Sequence, residues 1–401
     1  MQFMYRAVTD NGQVIEGVYE ANSEQEVLAM LKNNEYMPVS IEYKPEEKPV
    51  SSYFAKKVTK KDIAVYCRQF YTMLNAGVTI VKCLDILEAQ IENKVMRIAT
   101  KATFEDVQKG MTLSEAMRKH EKVFPSLLVN MVEAGEVSGS LDVIMERMAL
   151  HYEKENKIEN KIKGAMIYPI ILGVVSMAVV IFLLVAVMPT FIGMFESSGV
   201  ELPAPTKILL NISNSLQNQW YIYLASVILL VLGIGYFAKQ ETGILFIDSL
   251  KLRMPVIRDT NIKVATSRFT RTLSTLLSSG IPLLQCLDVV AKIVNNRFLS
   301  IKLEKAKEDV RKGIPLSKTI KAIKVFPPMV DSMIKIGEES GSLDEILIKS
   351  ADFYDEEVEV AIQKMTEMLQ PILIVIMALM VGFIVIAMAL PMFDMVNTVQ
   401  M

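Results

Sequence analysis

The sequence predicts a mostly α-helical membrane protein with two homologous cytoplasmic six-helix bundles, three transmembrane helices and a small N-terminal ββαβ module. Two observations lead to this fold class. The 401-residue chain repeats itself about 200 residues along, and three of its segments are apolar and uncharged over a length that can cross a bilayer. Because each copy of the repeat is a polar segment followed by an apolar one, the duplicated unit is a helical domain with its own span.

The repeat is marked by short matching strings at a fixed spacing. Gly77 matches Gly280 at an offset of 203 residues, and after a one-residue gap the offset becomes 202. The longest match places the eight residues at 135–142 against those at 337–344, with seven identities. Glycines after polar helical runs are typical of helix C-caps, so we interpret each repeat as about six helices joined by short turns.

These features divide the chain into nine predicted segments. In chain order they are an N-terminal ββαβ module at 1–43, a linker at 44–61, cytoplasmic helical repeat 1 at 62–165, transmembrane helix 1 at 166–188, an external loop at 189–219, transmembrane helix 2 at 220–238, cytoplasmic helical repeat 2 at 239–370, transmembrane helix 3 at 371–391 and an external tail at 392–401.

The N-terminal module is predicted from turn and strand signals. Two β-prone runs flank the sequence Asp-Asn-Gly at 10–12, which is typical of a hairpin turn. Ser23 and Glu26 have the spacing of a capping box for a helix that ends near Lys32. The run at 37–43 then predicts a third strand, which gives the order ββαβ.

The three spans are predicted from the positions of the charged residues. No Asp, Glu, Lys or Arg lies between Lys163 and Glu196, or between Glu367 and Asp394. A shorter apolar run at 220–237 begins with Trp and Tyr side chains, which favour the membrane interface. Each run approaches or exceeds the roughly 20 residues that a helix needs to cross a bilayer.

The orientation is predicted from the basic residues that flank the spans. Four lysines lie at 154–163, before the first span, whereas the loop at 189–219 has only Lys207 and the chain after Pro391 has no Lys or Arg. The positive-inside rule therefore predicts that the N-terminus and both repeats are cytoplasmic and that the loop and the C-terminus are outside. The helix at 220–238 has no repeat counterpart and supplies the crossing that places both repeats on one side.

The candidate site residues are those of the turns that both repeats share. They are Gly77, Gly135, Glu136, Gly139, Leu141, Gly280, Gly337, Glu338, Gly341 and Leu343. We interpret them as structural turns or a partner interface. Gly77 and Gly135, like their counterparts, are expected to end helices in the left-handed conformation. Ser140 and its counterpart are predicted to N-cap a helix of about 48 residues, roughly 70 Å long, that continues into the membrane.

Catalytic signals in the sequence are weak. The stretch at 313–319 superficially resembles a phosphate-binding loop, but it contains a proline and has no glycine before its lysine. With two histidines and three dispersed cysteines a zinc site is not expected, and Cys83 and Cys286 are predicted to be small core residues. We therefore predict a non-enzyme with no catalytic, cofactor or metal site. The nearly balanced charge predicts no nucleic-acid partner.

The combined pattern resembles a known family. The helix-to-glycine start at 68–78, the doubled turn string, the Phe-Pro pair at 124–125 and the proline-bounded spans are similar to those of the inner-membrane platform proteins of type IV pilus assembly and type II secretion systems. The stretch at 202–207 also resembles the family's sequence. The resemblance covers about residues 60–398, and the N-terminal module resembles the one that precedes it in many members.

The resemblance implies a multi-pass protein of the cytoplasmic membrane that couples a hexameric assembly ATPase to the extraction and polymerisation of pilin or pseudopilin subunits. It also implies other inner-membrane assembly proteins as partners, the lipid bilayer as the surroundings, and a homo-oligomer such as a dimer. A role in pilus biogenesis is favoured over one in type II secretion. Some secretion members are described as holding a metal through two acidic residues on the long helix; Glu146 matches one position, but Leu150 stands at the other, so that site is not carried over.

Two functions of other classes remain as alternatives. A transporter or channel subunit would account for the duplicated spans, but no Asp, Glu, Lys, Arg or His lies inside any of the three apolar runs. A membrane signalling scaffold would also be compatible with cytoplasmic helical domains. Transport measurements in liposomes would distinguish the first alternative, and gene neighbourhood the second.

Overall fold

The computed structural model describes residues 2–8, 14–21, 24–33, 36–44, 57–191 and 203–399. The chain divides into two compact units, one of Met1–Val58 with Ile91–Ile98 and the other of Thr59–Gln90 with Ala99–Met401. The predicted hairpin turn at 10–12, the predicted Ser23 cap and most of the predicted linker lie outside the described residues, as do residues 192–202 of the loop predicted at 189–219.

The first unit contains a three-stranded sheet and one helix. The elements are β1 (Gln2–Val8), β2 (Val14–Glu20), α1 (Glu24–Asn33) and β3 (Met37–Lys44). The sheet order is β2-β1-β3, and β1 pairs antiparallel with both neighbours. Phe3 and Ala7, on one face of β1, pack with Val27 and Leu31 of α1 to form the core of the module. The predicted order ββαβ is confirmed.

Repeat 1 consists of short helices followed by one very long helix. They are α2 (Lys60–Asn75), α3 (Ile80–Gln90), α4 (Lys94–Gln108), α5 (Leu113–Arg118), α6 (Ser126–Ser138) and α7 (Leu141–Phe182), which continues through a π-helical turn at Leu183–Val187. Capping boxes begin α2, at Thr59 with Asp62, and α5, at Thr112 with Glu115. These reciprocal bonds satisfy backbone groups that a helix start leaves free.

The rest of the chain repeats this arrangement after two additional helices and a short connecting one. The elements are α8 (Ala204–Asn218), α9 (Trp220–Phe237), α10 (Glu241–Lys251), α11 (Pro255–Ser278), α12 (Leu283–Ile293), α13 (Arg297–Arg311), α14 (Leu316–Ile323), α15 (Pro328–Ser340) and α16 (Leu343–Val399). Helices α11–α16 follow in the order of α2–α7. Cys83 and Cys286 are fully buried, as predicted.

The two long helices join each repeat to the membrane without a break. Helix α7 and its continuation run for 51 residues, Leu141–Phe191, and α16 runs for 49 residues from Leu343 to Pro391, before its last eight residues. At 1.5 Å per residue each is about 75 Å long, so the prediction of a continuous helix is confirmed. Below, stalk 1 denotes the part of α7 at 141–165, and stalk 2 the part of α16 at 343–370.

Three helices of the described residues are long and apolar enough to cross a membrane, and they include the three predicted spans. Two details differ from the predicted segments. The loop at 189–219 contains α8, and the predicted tail after Pro391 continues α16 as far as Val399. Helix α8 was not predicted, because a span needs about 20 mostly apolar residues and α8 has only 15 residues, with polar ones on one flank.

Candidate functional site: the paired stalk helices

Left-handed glycines end the helices that precede each stalk. Gly139 and Gly341 have φ angles of +69° and +70°, and the helix before each of them ends one residue earlier. Gly77 and Gly280, after the first helix of each repeat, have φ angles of +80° and +78°. The prediction of left-handed glycines at these last two positions is confirmed, since glycine adopts this conformation without a Cβ penalty.

The prediction that Gly135 and Gly337 end their helices is wrong. Helices α6 and α15 run on through them, and the start of the stalk crosses the helix at each glycine. A Cβ at Gly135 would lie 2.9 Å from Ile144 Cγ1 and 3.2 Å from the Cα of Leu141. A Cβ at Gly337 would lie 2.8 Å from the Cα of Leu343. These glycines are therefore required for close helix packing against Leu141 and Leu343.

The serines before the stalks act differently from the prediction. Ser140 stands at the N-cap position, but its side chain makes no capping hydrogen bond. Its Oγ lies 2.7 Å from Ser138 Oγ, and Ser342 and Ser340 form the same pair at 2.7 Å. The predicted side-chain cap at Ser140 is therefore wrong. Asp142 lies in the first turn of stalk 1, as expected from the helix dipole.

The shared glutamates of the turn string, Glu136 and Glu338, cap a helix that lies earlier in the chain. Glu136 accepts hydrogen bonds from the backbone N–H of Leu113 at 2.6 Å, from that of Ser114 at 3.1 Å and from Ser114 Oγ at 2.5 Å. Glu338 makes the same three bonds to residues 316–317 at 2.5, 3.1 and 2.6 Å. Each carboxylate thus satisfies free amides at the positive end of a short helix. The two residues therefore hold the turn against α5 and α14.

This contact also explains the stretch at 313–319 that resembles a phosphate-binding loop. The backbone amides of Leu316 and Ser317, which open α14, are already bound by the carboxylate of Glu338. A phosphate at this helix N-terminus would compete with a negatively charged side chain that belongs to the fold. The stretch therefore contains the start of α14, whose first backbone amides are bound by the carboxylate of Glu338.

An ion pair that occurs in both repeats joins each stalk to the first helix of its own repeat. Arg68 Nε and Nη2 donate to the two carboxylate oxygens of Glu153, both at 2.9 Å. At the counterpart positions, Arg271 Nη2 donates to Asp355 at 2.6 Å. Such charge-assisted bonds fix both distance and orientation.

A second ion pair that occurs in both repeats involves the acidic residue two positions further along each stalk. Lys60 Nζ lies 2.5 Å from Glu155 Oε2, and the counterpart pair, Lys263 and Glu357, is 2.8 Å apart. The duplication thus preserved both pairs, with the bases on α2 or α11 and the acids on the stalk. Each stalk is consequently held to its own helical domain at two levels.

Further ion pairs join the two stalks to each other, and their charges are segregated. The bases come from stalk 1 and the acids from stalk 2. Lys154 Nζ lies 3.3 Å from Asp355, Lys157 Nζ lies 2.9 Å from Glu359, and Lys161 also pairs with Glu359. The side-chain hydrogen bonds from Lys161 and Lys157 lower the pKa of Glu359. We call these contacts the interstalk ion pairs.

Glu155 connects the two repeats at a buried point. Its carboxylate accepts bonds from Arg268 Nε of α11 at 3.0 and 3.2 Å, in addition to the bond from Lys60 of α2. Only 7% of Glu155 is exposed. Burial by itself would raise the pKa of this carboxyl, but the charges of Arg268 and Lys60 outweigh it and the pKa is lowered. Glu155 is therefore ionised and bound by two cations from different repeats.

His151 lies one turn before Glu155 and is also buried. Burial lowers the pKa of His151 to about 4. The nearby cations Arg271, Lys60 and Arg268 lower this pKa further, whereas the negative charge of Glu155 raises it. Its Nδ1 has no hydrogen-bond partner among the described residues. The imidazole is therefore neutral in the folded protein at neutral pH.

Replacing His151 with phenylalanine, the residue at the counterpart position 353, should make stability less sensitive to acid. Below about pH 6.5 the unfolded chain binds a proton at His151 that the folded chain excludes. The free energy of unfolding therefore falls by about 2 kcal/mol by about pH 5. The melting temperature of the purified full-length protein, measured at about pH 7.5 and about pH 5, should therefore fall further in the parent than in the variant. An equal fall in both proteins would contradict the buried neutral imidazole.

The ion pairs of the stalks were missed by the sequence analysis. A signal was available: Arg68 and Arg271 are counterparts, and so are the acids at 153 and 355 that they bind. The cross-repeat contact between Glu155 and Arg268 left no such signal, because valine stands at 65, the position in repeat 1 that corresponds to Arg268. Among the described residues, no group of three or more His, Cys, Asp or Glu side chains is placed to hold a metal ion.

Comparison with known proteins agrees with this architecture. The chain matches the family described as type II secretion system (T2SS), protein F, over residues 66–189 and again over 269–391. Residues 1–42 match the family described as type II secretion system protein F, N-terminal domain. The two matches of the first family lie on the two repeats and include the stalks and their spans.

Individual relatives come from two kinds of machine. The chain is 38% identical over 400 residues to the type IV pilus assembly protein PilC of Myxococcus xanthus, covering 100% of this chain and 96% of the relative. It is 37% identical to the PilC of Pseudomonas aeruginosa, covering 86% and 92%. It is 34% identical to the type II secretion system protein F of Vibrio cholerae, covering 98% of each. With its three membrane-capable helices and its doubled stalk domain, the chain belongs to the type II secretion system protein F family of multi-pass inner-membrane proteins.

Proposed function

We propose that this protein is a non-enzymatic platform that couples a cytoplasmic assembly ATPase to the extraction and polymerisation of pilin or pseudopilin subunits. The observation that carries the proposal is the continuity of α7 and α16, each of which runs from a helical domain into the membrane without a break. A continuous hydrogen-bonded helix transmits displacement along its axis better than a loop. Movement imposed on the domains would therefore reach the spans.

The ion pairs support this role because they make the two stalks move together. Each stalk is fastened to its own repeat at two levels, and Glu155 and the interstalk ion pairs join the repeats. Displacement of one domain relative to the other would separate buried, paired charges, which is costly. We infer that the stalks act as one lever.

We favour pilus biogenesis over type II secretion for this chain. Over at least 95% of the chain, two pilus assembly proteins are 38% and 34% identical to it, and four secretion relatives are 30–34% identical. Type II secretion, with pseudopilins as the subunits, is the second candidate, supported by the family to which both kinds of relative belong. Pilin or pseudopilin subunits and other inner-membrane assembly proteins would contact the spans.

We also propose that the N-terminus and both repeats are cytoplasmic and the C-terminus is outside. The basic residues before the first span support this orientation. Cysteines introduced singly into a cysteine-free background should be labelled by a membrane-impermeant maleimide in intact cells at Asn397 but not at Asn11. Labelling at Asn11 without lysis would reverse the assignment.

The ATPase should dock on the cytoplasmic helical domains. Lys321 of repeat 2 is a suitable probe of this contact, because 77% of its side chain is exposed and its Nζ lies 3.9 Å from the carboxylate of Asp331. Lys119 of repeat 1, 50% of whose side chain is exposed, forms a closer ion pair, with Asp106 at 2.9 Å. A charge reversal at Lys119 would therefore also break this ion pair.

Coupling can be separated from docking by reversing one charge between the stalks. Glu359→Lys places a third cation beside Lys157 and Lys161, and we expect filament assembly to fall several-fold while membrane insertion and ATPase binding persist. The swap Glu359→Lys with Lys157→Glu and Lys161→Glu should restore assembly. Filaments should be counted by electron microscopy in a strain that carries only the variant gene. Normal assembly in the single variant would exclude coupling through the stalks, and normal assembly without the gene would refute the platform role.

A further inference from the structure

Helix α8 lies against the far ends of the first and third spans, away from the stalks. Leu209 of α8 packs in one buried cluster with Leu184 and Met188 of α7 and with Ile384 and Ala387 of α16. All four partners lie within the apolar runs that form the spans. The helix is therefore not a free external loop but part of the membrane domain.

Hydrogen bonds place α8 at one level of the two spans. Thr206 Oγ1, in its first turn, donates to the backbone oxygen of Ala387 at 2.5 Å. Gln217 Nε2, in its last turn, donates to the backbone oxygen of Val185 at 3.1 Å. Val185 and Ala387 are repeat counterparts, 202 residues apart. Because equivalent positions of parallel repeats share the same depth, α8 runs parallel to the membrane plane.

The depth of α8 follows from the same two contacts. Val185 and Ala387 lie three and four residues before the ends of the predicted spans at 188 and 391. At 1.5 Å per residue this is about 5 Å inside the apolar limit. Amphipathic helices bound in a membrane interface lie about 5–10 Å into the boundary between headgroups and acyl chains.

The face of α8 that contacts the spans is buried and hydrogen-bonded. Thr206, Leu209 and Ser213 are each less than 5% exposed. Ser213 Oγ donates to the backbone oxygen of Leu184 at 2.6 Å, within the π-helical turn that continues α7. The polar side chains on this face thus have partners and need no water.

The two flanks of α8 differ in chemistry. Pro205, Ile208, Ile212 and Leu216 follow at helical spacing on one flank, and 54% of Ile208 and 41% of Ile212 are exposed. The opposite flank carries Lys207 and asparagines at 211, 214 and 218, all exposed. A helix that lies parallel to the membrane at this depth has one flank toward the acyl chains and the other toward water. The chemistry assigns the isoleucine flank to the acyl side.

We propose that α8 is an interfacial helix whose Ile208–Ile212 flank is immersed in the lipid leaflet at the membrane face opposite the stalks. Its partner is the bilayer itself, at the boundary between headgroups and acyl chains. The asparagine flank is exposed to water. This inference depends on the spans and on α8, and it holds whether or not the protein couples an ATPase to filament assembly.

The test compares two adjacent positions on opposite flanks of α8. Ile212→Cys and Asn211→Cys are made in the full-length protein, labelled with bimane and reconstituted in nanodiscs of phosphatidylethanolamine and phosphatidylglycerol. The parent protein is the labelling control, since Cys67, Cys83 and Cys286 are all buried. Quenching is measured with lipids that carry a doxyl group near the headgroup and, separately, with aqueous iodide.

We expect doxyl lipids to quench the label at Ile212→Cys at least twofold more than the label at Asn211→Cys, with the order reversed for iodide. Equal iodide quenching at both positions would overturn the proposal, because the isoleucine flank would then face water. A label at Ile212→Cys that is protected from both quenchers would also overturn it, because another polypeptide, such as a second copy of the chain, would then cover the flank.

Discussion

Replacing Glu155 with alanine should lower the free energy of unfolding by about 3–5 kcal/mol, because it removes the only acidic partner that the described residues provide for Arg268 and the closest one for Lys60. The Arg268 side chain is only 12% exposed, so water cannot replace the lost carboxylate. Removing one member of a buried ion pair leaves an uncompensated charge, which costs far more than the pair itself contributes. The loss should appear as a lower denaturation midpoint of the purified full-length protein.

Glu153→Ala is the matched control on the same helix. Glu153 also binds an arginine, Arg68, and does so through two hydrogen bonds, but 44% of its side chain is exposed. Exposed ion pairs contribute about 0–1 kcal/mol, so this variant should be nearly as stable as the parent. If the two variants are destabilised equally, burial of Glu155 is not what makes its ion pairs important.

The pH dependence of the Glu155 contribution has a defined sign. Because the pKa of Glu155 is lowered in the folded state, its ion pairs stabilise the protein above the ordinary carboxyl pKa of about 4.5 and are lost as the pH falls below that value. The parent should therefore lose more stability than Glu155→Ala on acidification through this range. The His151 effect lies in a higher window, below about pH 6.5, so the two can be separated.

The parts of the fold that sequence analysis predicted correctly depend on local signals. The repeat at 203 residues located both stalks, and the apolar runs located three spans. The left-handed turns at Gly77 and Gly280 were predicted because helix C-caps require a backbone conformation that glycine adopts easily. Such features are set by residues close together in the chain.

The parts that were missed depend on contacts between distant residues. Nothing near Glu155 in the sequence indicates Arg268, which is 113 residues away. The glutamates at 136 and 338 were expected among the turn residues, but that they cap a helix more than 20 residues upstream follows only from the packing. Helix α8 has a local signal, since Pro205, Ile208 and Ile212 follow at helical spacing, but its position against the spans depends on contacts 29 and 181 residues away in the sequence.

Gly337→Val should destabilise the protein by about 2–3 kcal/mol through a steric clash rather than through backbone strain. The Cβ of any residue at this position would lie 2.8 Å from the Cα of Leu343, and a backbone atom at the start of a long helix cannot move aside as a flexible side chain can. Gly135→Val should behave similarly against Ile144 and Leu141. The measurement is the denaturation midpoint of each purified full-length variant, and filament assembly should fall as the folded fraction falls.

Asparagine distinguishes this clash from a left-handed cap, because it tolerates a positive φ better than other residues with a Cβ. At Gly341, where φ is +70° and no atom lies within 4 Å of the added Cβ, Gly341→Asn should cost less than about 1 kcal/mol. At Gly337, Gly337→Asn should cost about as much as valine, because its Cβ meets the same Leu343 backbone. If asparagine were tolerated equally at both positions, the contact with Leu343 would not be the reason that position 337 requires glycine. Unequal tolerance is expected because Gly341 provides the left-handed backbone of the turn, whereas Gly337 provides the space for Leu343 at the start of stalk 2.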